Sequence, residues 1–275
     1  MLSNKKGKLL LLPGLIIVLL FLIGPLLLIL GPTLSGENTN NSYWGLISNY
    51  SNLKIIGRTF FIAIITTFVT LILGFTVAFW INNKAQKKKR FWTILILFPI
   101  LTNAIVRNFT WIIILGKNGI LNNILIKSHL IVTPLPLLYT SFSIVIGSVY
   151  LFLPIMITTL LSSLEELDPN LEAAASICGA KPAVILRKII LPQLRVGILT
   201  GLTLVFAGAM TAYTTPQILG GNRSLVLSTL IYQQAMTLGD WTQASRIALI
   251  LIVITLCWTG GMHYLMRRRK GLKHV

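Results

Sequence analysis

The chain has 275 residues, of which 55% are hydrophobic and only 11% are charged, and its mean hydropathy is +0.81. Soluble domains carry about 25% charged residues, so this composition excludes a soluble globular domain, and it is too apolar for a disordered chain. Two cysteines are too few for a disulfide scaffold. The composition therefore predicts a polytopic membrane protein.

Six apolar segments are long enough to cross the hydrocarbon core of a bilayer, which takes about 20 residues of helix. In chain order they are Leu9–Leu30, Phe60–Ile81, Phe91–Leu115, Leu135–Leu164, Val196–Leu219 and Ile247–Met266. They lack the alternation of barrel strands, so we expect an all-α fold of six membrane-spanning helices that forms one domain over residues 1–275. In the third segment we expect a kink or break at Pro99, and we expect Arg107 at the outer rim with its charge in water.

The distribution of basic residues predicts the orientation of these spans. Seventeen of the 24 lysines and arginines lie before the first span, between the second and third, between the fourth and fifth, or after the sixth. Basic residues accumulate on the cytoplasmic side of membrane proteins, so we expect both termini and the loop of about residues 165–195 in the cytoplasm. Because the basic residues form short runs beside the spans, the net charge of +18 indicates membrane lipid, and not nucleic acid, as a partner.

The predicted loop of residues 165–195 has the sequence features of a helical hairpin. Asp168 and Pro169 are typical of an N-cap and a first helical residue, Gly179 can end the helix in the left-handed conformation, and Pro182 can start a second helix. The first helix carries the small residues Ala173–Ala175, which permit close approach of another protein. We expect the apolar side chains of the second helix to lie at the membrane surface; they are Val184, Ile185, Leu186, Ile189 and Ile190. From the residues alone, the hairpin is either a docking element or a solvated connection.

The same loop resembles the signature of permease subunits in ABC-type importers. The resemblance rests on Glu172-Ala173-Ala174, on Gly179 and, after nine intervening residues, on Ile189-x-Leu191-Pro192. Four residues, where the family has three, separate Glu-Ala-Ala from the glycine, so Ala173 stands at the usual glutamate position. The resemblance implies the type I importer architecture and a coupling helix that docks in a groove of a cytoplasmic ATPase. It assigns to this ATPase-coupling loop Glu172, Ala173, Ala174, Ala175, Gly179, Ala180, Pro182, Leu191 and Pro192.

Two further segments, Trp111–Asn122 and Thr215–Gly221, resemble the first of the two permeases in spermidine/putrescine-type importers, and Gly239-Asp240-Trp241 agrees with this. The resemblance implies half of a solute pathway in the plasma membrane of a prokaryote. It also implies a second permease, two cytoplasmic ATPase subunits and an extracytoplasmic binding protein as partners. The implied solute is a polyamine or a related compound; phosphonates and other small organic solutes are the alternative.

The source of energy follows from two sequence features. No Gly-x-x-x-x-Gly-Lys-Ser/Thr phosphate loop occurs, so we expect ATP to bind to a separate subunit and this chain to need no cofactor. All six acidic residues lie outside the predicted spans, whereas ion-coupled transporters usually bury such groups along their pathway. Both features favour coupling through a separate ATPase, and a secondary transporter or channel that acts without an ATPase is the alternative. We expect neither a metal site nor enzymatic activity, because no ligand spacing or nucleophile–base pair is present.

Polar residues at the outer ends of the third and fifth spans are the candidates for the solute pathway, because hydroxyls in lipid need partners or water. The predicted pathway residues are Asn103, Arg107, Met210, Tyr213, Thr214 and Thr215. The fifth span also carries Gly197-x-x-x-Gly201, a spacing that is typical of closely packed helices.

Overall fold

The computed structural model describes residues 49–267 and isolated positions before them, at 13–14, 16–17, 19–21, 23–24, 31 and 46. The predicted first span, Leu9–Leu30, therefore lies mostly outside the described residues. Within the described part of the chain all regular structure is helical, which confirms the predicted all-α fold.

The helices are named here in chain order. They are α1 (Tyr50–Asn82), α2 (Gln86–Leu101), α3 (Ala104–Leu115), α4 (Ile120–Lys127), α5 (Ser141–Glu165), α6 (Pro169–Ile177), α7 (Pro182–Gln193), α8 (Arg195–Thr211), α9 (Leu227–Tyr232) and α10 (Trp241–Arg267). Shorter helical turns follow α8 and α9, at Pro216–Gly220, Gly221–Arg223 and Gln233–Thr237.

The described chain divides into two compact units. One unit contains the described residues up to Leu53 together with Leu230–Ile250, and the other contains Lys54–Thr229 and the described residues from Leu251 onward. All the sites considered below lie within the second unit.

Among the described residues, four helical segments are long and apolar enough to cross a membrane. These are α1, α3 together with α4, α5, and α10 as far as Met266. A fifth results if α7 and α8, which meet at a bend of 65°, are counted as one span. These segments match the predicted second, fourth and sixth spans in position, whereas the third and fifth differ.

The bounds Phe91–Leu115 of the predicted third span are wrong, although the expected break near Pro99 is present, between α2 and α3 at Thr102–Asn103. Pro99 lies in the last turn of α2, and Asn103 caps α3 by accepting the backbone N–H of Ile105 at 2.8 Å. The expected position of Arg107 at a water-exposed rim is also wrong. Only 8% of this residue is exposed, and its Nη1 donates to the carbonyl of Pro99 at 2.8 Å, across the break.

Other predicted boundaries move for similar local reasons. The helix of the second span begins at Tyr50, before the predicted Phe60, and the predicted loop before Leu135 contains α4. The fourth span begins only at Ser141, where Thr140 forms a capping box with Ser143. The fifth span does not continue to Leu219, because its helix ends at Thr211 and a broken segment follows.

Helix α5 packs between α1 and α8 through glycines of its neighbours. A Cβ atom at Gly201 of α8 would lie 2.6 Å from Sδ of Met156, and one at Gly74 of α1 would lie 2.7 Å from Cγ of the same methionine. A Cβ at Gly197 would overlap Oγ of Ser163 and lie 2.5 Å from its Cβ. The Gly197 and Gly201 pair therefore serves close packing, which confirms the interpretation of its spacing.

We expect Gly197→Ala to lower the melting temperature of the purified chain in detergent. The added methyl group meets the Cβ of Ser163, which can move only with its backbone, and overpacking of this kind costs about 1–3 kcal/mol. Gly261→Ala is the matched control, since no neighbouring atom lies within 4 Å of its added Cβ and loss of a helical glycine gains up to about 1 kcal/mol. Equal melting temperatures for the two variants would contradict the tight α5–α8 contact.

Candidate functional site

The hairpin between α5 and α8 begins with the N-cap that its sequence predicts. An oxygen of the Asp168 side chain accepts the backbone N–H of Asn170 at 2.9 Å, and Pro169 is the first residue of α6. Glu172 lies in the first turn, where a negative charge is favourable to the helix dipole. The start of α6 is therefore fixed by local interactions within the hairpin itself.

Gly179 ends α6 in the left-handed conformation, with φ of 77°. The N–H of Ala180 donates to the carbonyl of Ala175 at 3.1 Å, and the N–H of Gly179 donates to the backbone carbonyl of Ser176 at 3.0 Å. These two bonds form a Schellman motif, which satisfies the last carbonyls of the helix. No atom lies within 4 Å of a Cβ built at Gly179, so the glycine is required by its backbone conformation and not by a lack of space.

The second helix of the hairpin, α7, starts at Pro182 as predicted and contains a π-helical turn over Leu186–Ile190. Leu191 is half-buried, and Pro192, which is exposed, follows this turn before the 65° bend into α8. The expected placement of the apolar face at the membrane surface is wrong for Ile185 and Ile190, which are each only 5% exposed. These side chains are buried within the protein, because α7 lies against its neighbouring helices.

The first helix of the hairpin has the opposite character, since it contains no buried side chain among those described. Ala173 and Ala174 are exposed, Leu171 is 45% exposed and Ile177 is 87% exposed. A rigid helix with exposed apolar and small side chains offers a surface for another protein.

A cleft of about 90 Å³ separates the hairpin from the end of α1. Phe79 and Asn82 line it from α1, and Leu171, Glu172 and Ile190 line it from the hairpin. The chain joins the hairpin directly to α5 and α8, and the hairpin faces the end of α1 across this cleft.

A buried lysine lies close to the base of the hairpin. Nζ of Lys89, near the start of α2, is 2.6 Å from Oε1 of Glu165, the last residue of α5. The same ammonium group donates to the side-chain oxygen of Asn82, the last residue of α1, at 3.0 Å. The end of α1, the start of α2 and the end of α5 therefore meet at one polar contact.

At the opposite end of α5, the chain from Ala212 to Val226 is a broken helix whose carbonyls are held by side chains. Ser228 Oγ donates to the carbonyl of Ala212 at 2.6 Å, and Ser143 Oγ donates to that of Leu219 at 2.9 Å. Nη1 of Arg58 contacts the carbonyls of Arg223 and Leu225, each at 3.3 Å. Irregular backbone at membrane depth requires such partners, because lipid offers none.

The predicted pathway residues fall into two groups in the structure. Asn103 and Arg107 bind backbone groups at the α2–α3 break, as described above. Met210 and Thr215 are buried, with 0% and 2% exposure, whereas Tyr213 and Thr214 are half-buried beside the break that follows α8. Helix α3, which follows Asn103 and contains Arg107, packs beside the Pro216–Gly220 turn.

Several residues of both sites were not predicted from the sequence. Lys89 counted only as one member of a basic run, and Arg58, Thr59, Ser143 and Ser228 had no predicted role. The available signal was the combination of Pro216 with Gly220-Gly221, which breaks a helix and leaves backbone groups in need of donors. No cluster of three potential metal ligands occurs among the described residues.

Long apolar helices, a broken segment at one end and an exposed hairpin at the other define a membrane transport subunit. Residues 71–271 match the family model described as the binding-protein-dependent transport system inner membrane component, and the chain belongs to this family. It is thus a multi-pass inner-membrane permease subunit of an ABC importer.

Curated relatives agree with this family assignment. The chain is 30% identical over 245 residues to the spermidine/putrescine transport system permease protein PotB of Haemophilus influenzae, covering 86% of each chain. It is also 30% identical to PotB of Escherichia coli K12, over 76% of this chain and 78% of the relative.

A solved bacterial alginate ABC transporter, in complex with an alginate-bound periplasmic protein, contains a chain of the same fold. The TM-score is 0.80 at 16% identity, and the match covers 96% of this chain and 95% of the other.

We expect Ser143→Ala to loosen the broken segment. Without the hydroxyl, the carbonyl of Leu219 keeps the N–H of Tyr139 as a donor, at 2.9 Å, but loses its second bond, which costs about 0.5–1.5 kcal/mol. Hydrogen–deuterium exchange of peptides spanning residues 212–226 should become faster, and the melting temperature should fall. Ser162→Ala, at an exposed serine of the same helix, is the control and should change neither quantity. Unchanged exchange in Ser143→Ala would show that this bond does not hold the segment.

Proposed function

We propose that this permease forms half of the translocation pathway of an ATP-driven importer for polyamines such as putrescine and spermidine. The observation that carries the proposal is the 30% identity to PotB over 86% of both chains. A second, related permease supplies the other half of the pathway, and an extracytoplasmic binding protein delivers the solute. We keep phosphonates and other small organic solutes as the alternative substrates.

The proposed topology has six spans, with both termini and the hairpin in the cytoplasm and with residues 1–275 as one permease domain. The predicted span Leu9–Leu30 is the first, and α1, the α2–α3 pair, α5, α8 and α10 are the others. One contact in the structure and one general rule for membrane proteins support this arrangement. The Lys89–Glu165 contact brings the basic α1–α2 connection and the base of the hairpin to one end of the bundle. Basic residues favour the cytoplasmic side, so that end is the inner one.

The hairpin is the proposed docking site for the cytoplasmic ATPase subunits, which bind the ATP. Its exposed face contains Ala173, Ala174 and the largely exposed Ile177, and the Schellman turn at Gly179 fixes its shape. Because α7 bends directly into α8 and α6 follows α5 closely, a displacement of the docked hairpin reaches both helices. The remaining coupling residues, Glu172, Ala175, Ala180, Pro182, Leu191 and Pro192, build the hairpin around that face.

At the other end, the segment from Ala212 to Val226 is the proposed outer gate. Tyr213 and Thr214 are half-buried, whereas Met210 and Thr215 are covered in this conformation. Movement of this segment away from the tightly packed α5–α8 pair would uncover these residues, and Asn103 and Arg107 lie on the neighbouring broken span. The five acids among the described residues lie outside the apolar spans or at their ends, so carboxylates for a cationic solute come from the second permease.

We expect Ala174→Trp to disrupt binding of the ATPase while the permease still folds, because the alanine is exposed in the free chain. A bulky side chain at a close contact should weaken binding at least about tenfold, which corresponds to about 1.4 kcal/mol. The measurement is co-purification of the ATPase with the two permeases, together with ATPase activity stimulated by the solute-loaded binding protein. Ala174→Ser, which keeps a small side chain, should behave as the natural chain does.

A glycine pair provides a second control for this experiment. Gly179→Ala and Gly239→Ala place alanine at φ of 77° and 71°, and neither added Cβ meets an atom within 4 Å. Both variants therefore carry a similar backbone penalty of about 1–2 kcal/mol. Only Gly179→Ala should reduce ATPase stimulation. Normal stimulation in both Gly179→Ala and Ala174→Trp would remove the docking role from the hairpin.

The reconstituted importer should take up radiolabelled putrescine or spermidine with saturation kinetics, and uptake should require ATP and the binding protein. Unlabelled polyamines should compete, whereas phosphonates and sulfate should not. Uptake of an anionic solute alone would overturn the substrate assignment, but the assignment as a permease subunit of an ATP-driven importer would stand. Transport by proteoliposomes that contain this chain without any ATPase would instead support a secondary transporter or channel.

A further inference from the structure

One lysine at the start of α2 differs from the basic residues around it. Lys87, Lys88 and Arg90 are exposed, and Lys84 lies with its ammonium group 4.4 Å from the ring centre of Trp80. Lys89 is only 8% exposed. The four neighbours are sufficient to orient the span by their charge, so orientation does not explain why the fifth basic residue is buried.

Burial of an ammonium group is costly unless it is paired and hydrogen-bonded, and Lys89 satisfies both conditions. It forms an ion pair with Glu165 at 2.6 Å and donates to Asn82 at 3.0 Å. The side chain of Glu165 is 48% exposed, whereas that of Lys89 is 10% exposed. Loss of the carboxylate would therefore leave a buried charge with a single neutral partner.

The position of this contact relates it to the hairpin. Glu165 is the last residue of α5 and precedes the N-cap residue Asp168 by three positions. Lys89 and Asn82 lie in α2 and α1, which have no direct chain connection to the hairpin, and α1 faces the hairpin across the cleft described above. Helix α2 packs along α5, and the ion pair lies at the hairpin end of that contact.

We propose that Lys89 is a positioning residue for energy coupling. Through Glu165 and Asn82 it holds the inner ends of α1 and α2 to the base of the hairpin. When the hairpin moves, α5 and α8 follow through the chain, and α1 and α2 follow through Lys89. This inference rests on the proposed function, in which the hairpin receives the movement of the ATPase.

The experiment compares coupling, measured as solute molecules imported per ATP hydrolysed, in the complete importer reconstituted into proteoliposomes. Lys89→Met and Glu165→Gln should each lower this ratio about fivefold or more, in the range typical of coupling between sites. The exchanged pair Lys89→Glu/Glu165→Lys should restore most of it, because the opposite charges again face each other. Lys88→Met, at the exposed neighbouring lysine, is the matched control and should leave the ratio unchanged.

The outcomes separate this inference from the proposed function. If the natural chain binds no ATPase or transports without ATP, the proposed function fails. If the natural complex couples normally and the single variants keep its ratio, only the role of Lys89 is overturned. If the single variants do not assemble, Lys89→Arg and the exchanged pair decide. The inference is supported if both of these variants assemble and couple nearly as well as the natural chain. It is overturned if both assemble but couple poorly.

Discussion

The structure depends on one constraint, which is that backbone N–H and C=O groups in a bilayer must find partners within the protein. Continuous helices meet this requirement internally, but the chain interrupts its spans at Thr102–Asn103 and again after Thr211. At each interruption polar side chains replace the missing helical bonds. Arg107 donates to the carbonyl of Pro99, and Ser143 donates to that of Leu219. Polar residues that resemble solute ligands in the sequence therefore serve the backbone first.

The same constraint gives the two ends of the bundle different mechanical properties. At the broken segment, bonds from distant elements hold irregular backbone, so the shape of the segment depends on where those elements lie. At the hairpin, an N-cap, a Schellman turn and Pro182 fix the conformation locally. Between them, the glycine contacts of α5 with α8 leave no room for sliding without overlap. A locally capped hairpin, a tightly packed helix pair and an irregular segment therefore follow one another along α5 and α8.

Features fixed by a few neighbouring residues could be predicted from the sequence. Asp168, Gly179 and Pro182 specify the hairpin locally, and the spacing of Gly197 and Gly201 indicates their packing role. Features that depend on distant partners could not. The bonds from Arg58 to the carbonyl of Leu225 and from Leu227 to Thr59 join residues more than 160 positions apart. Burial of Lys89 likewise depends on Glu165, and composition alone groups that lysine with its exposed neighbours.

The scarcity of acids has a consequence for transport of a cation. A carboxylate in an apolar span would bind a polyamine strongly, and a strongly bound solute leaves slowly, whereas transport requires binding weak enough for release. Half-buried Tyr213 and Thr214 offer weaker neutral partners. In the importer proposed above, the binding protein would supply affinity and selection, the second permease any charge, and this chain a path for the solute. Tight binding within the path would hold the solute at the one place from which it must depart.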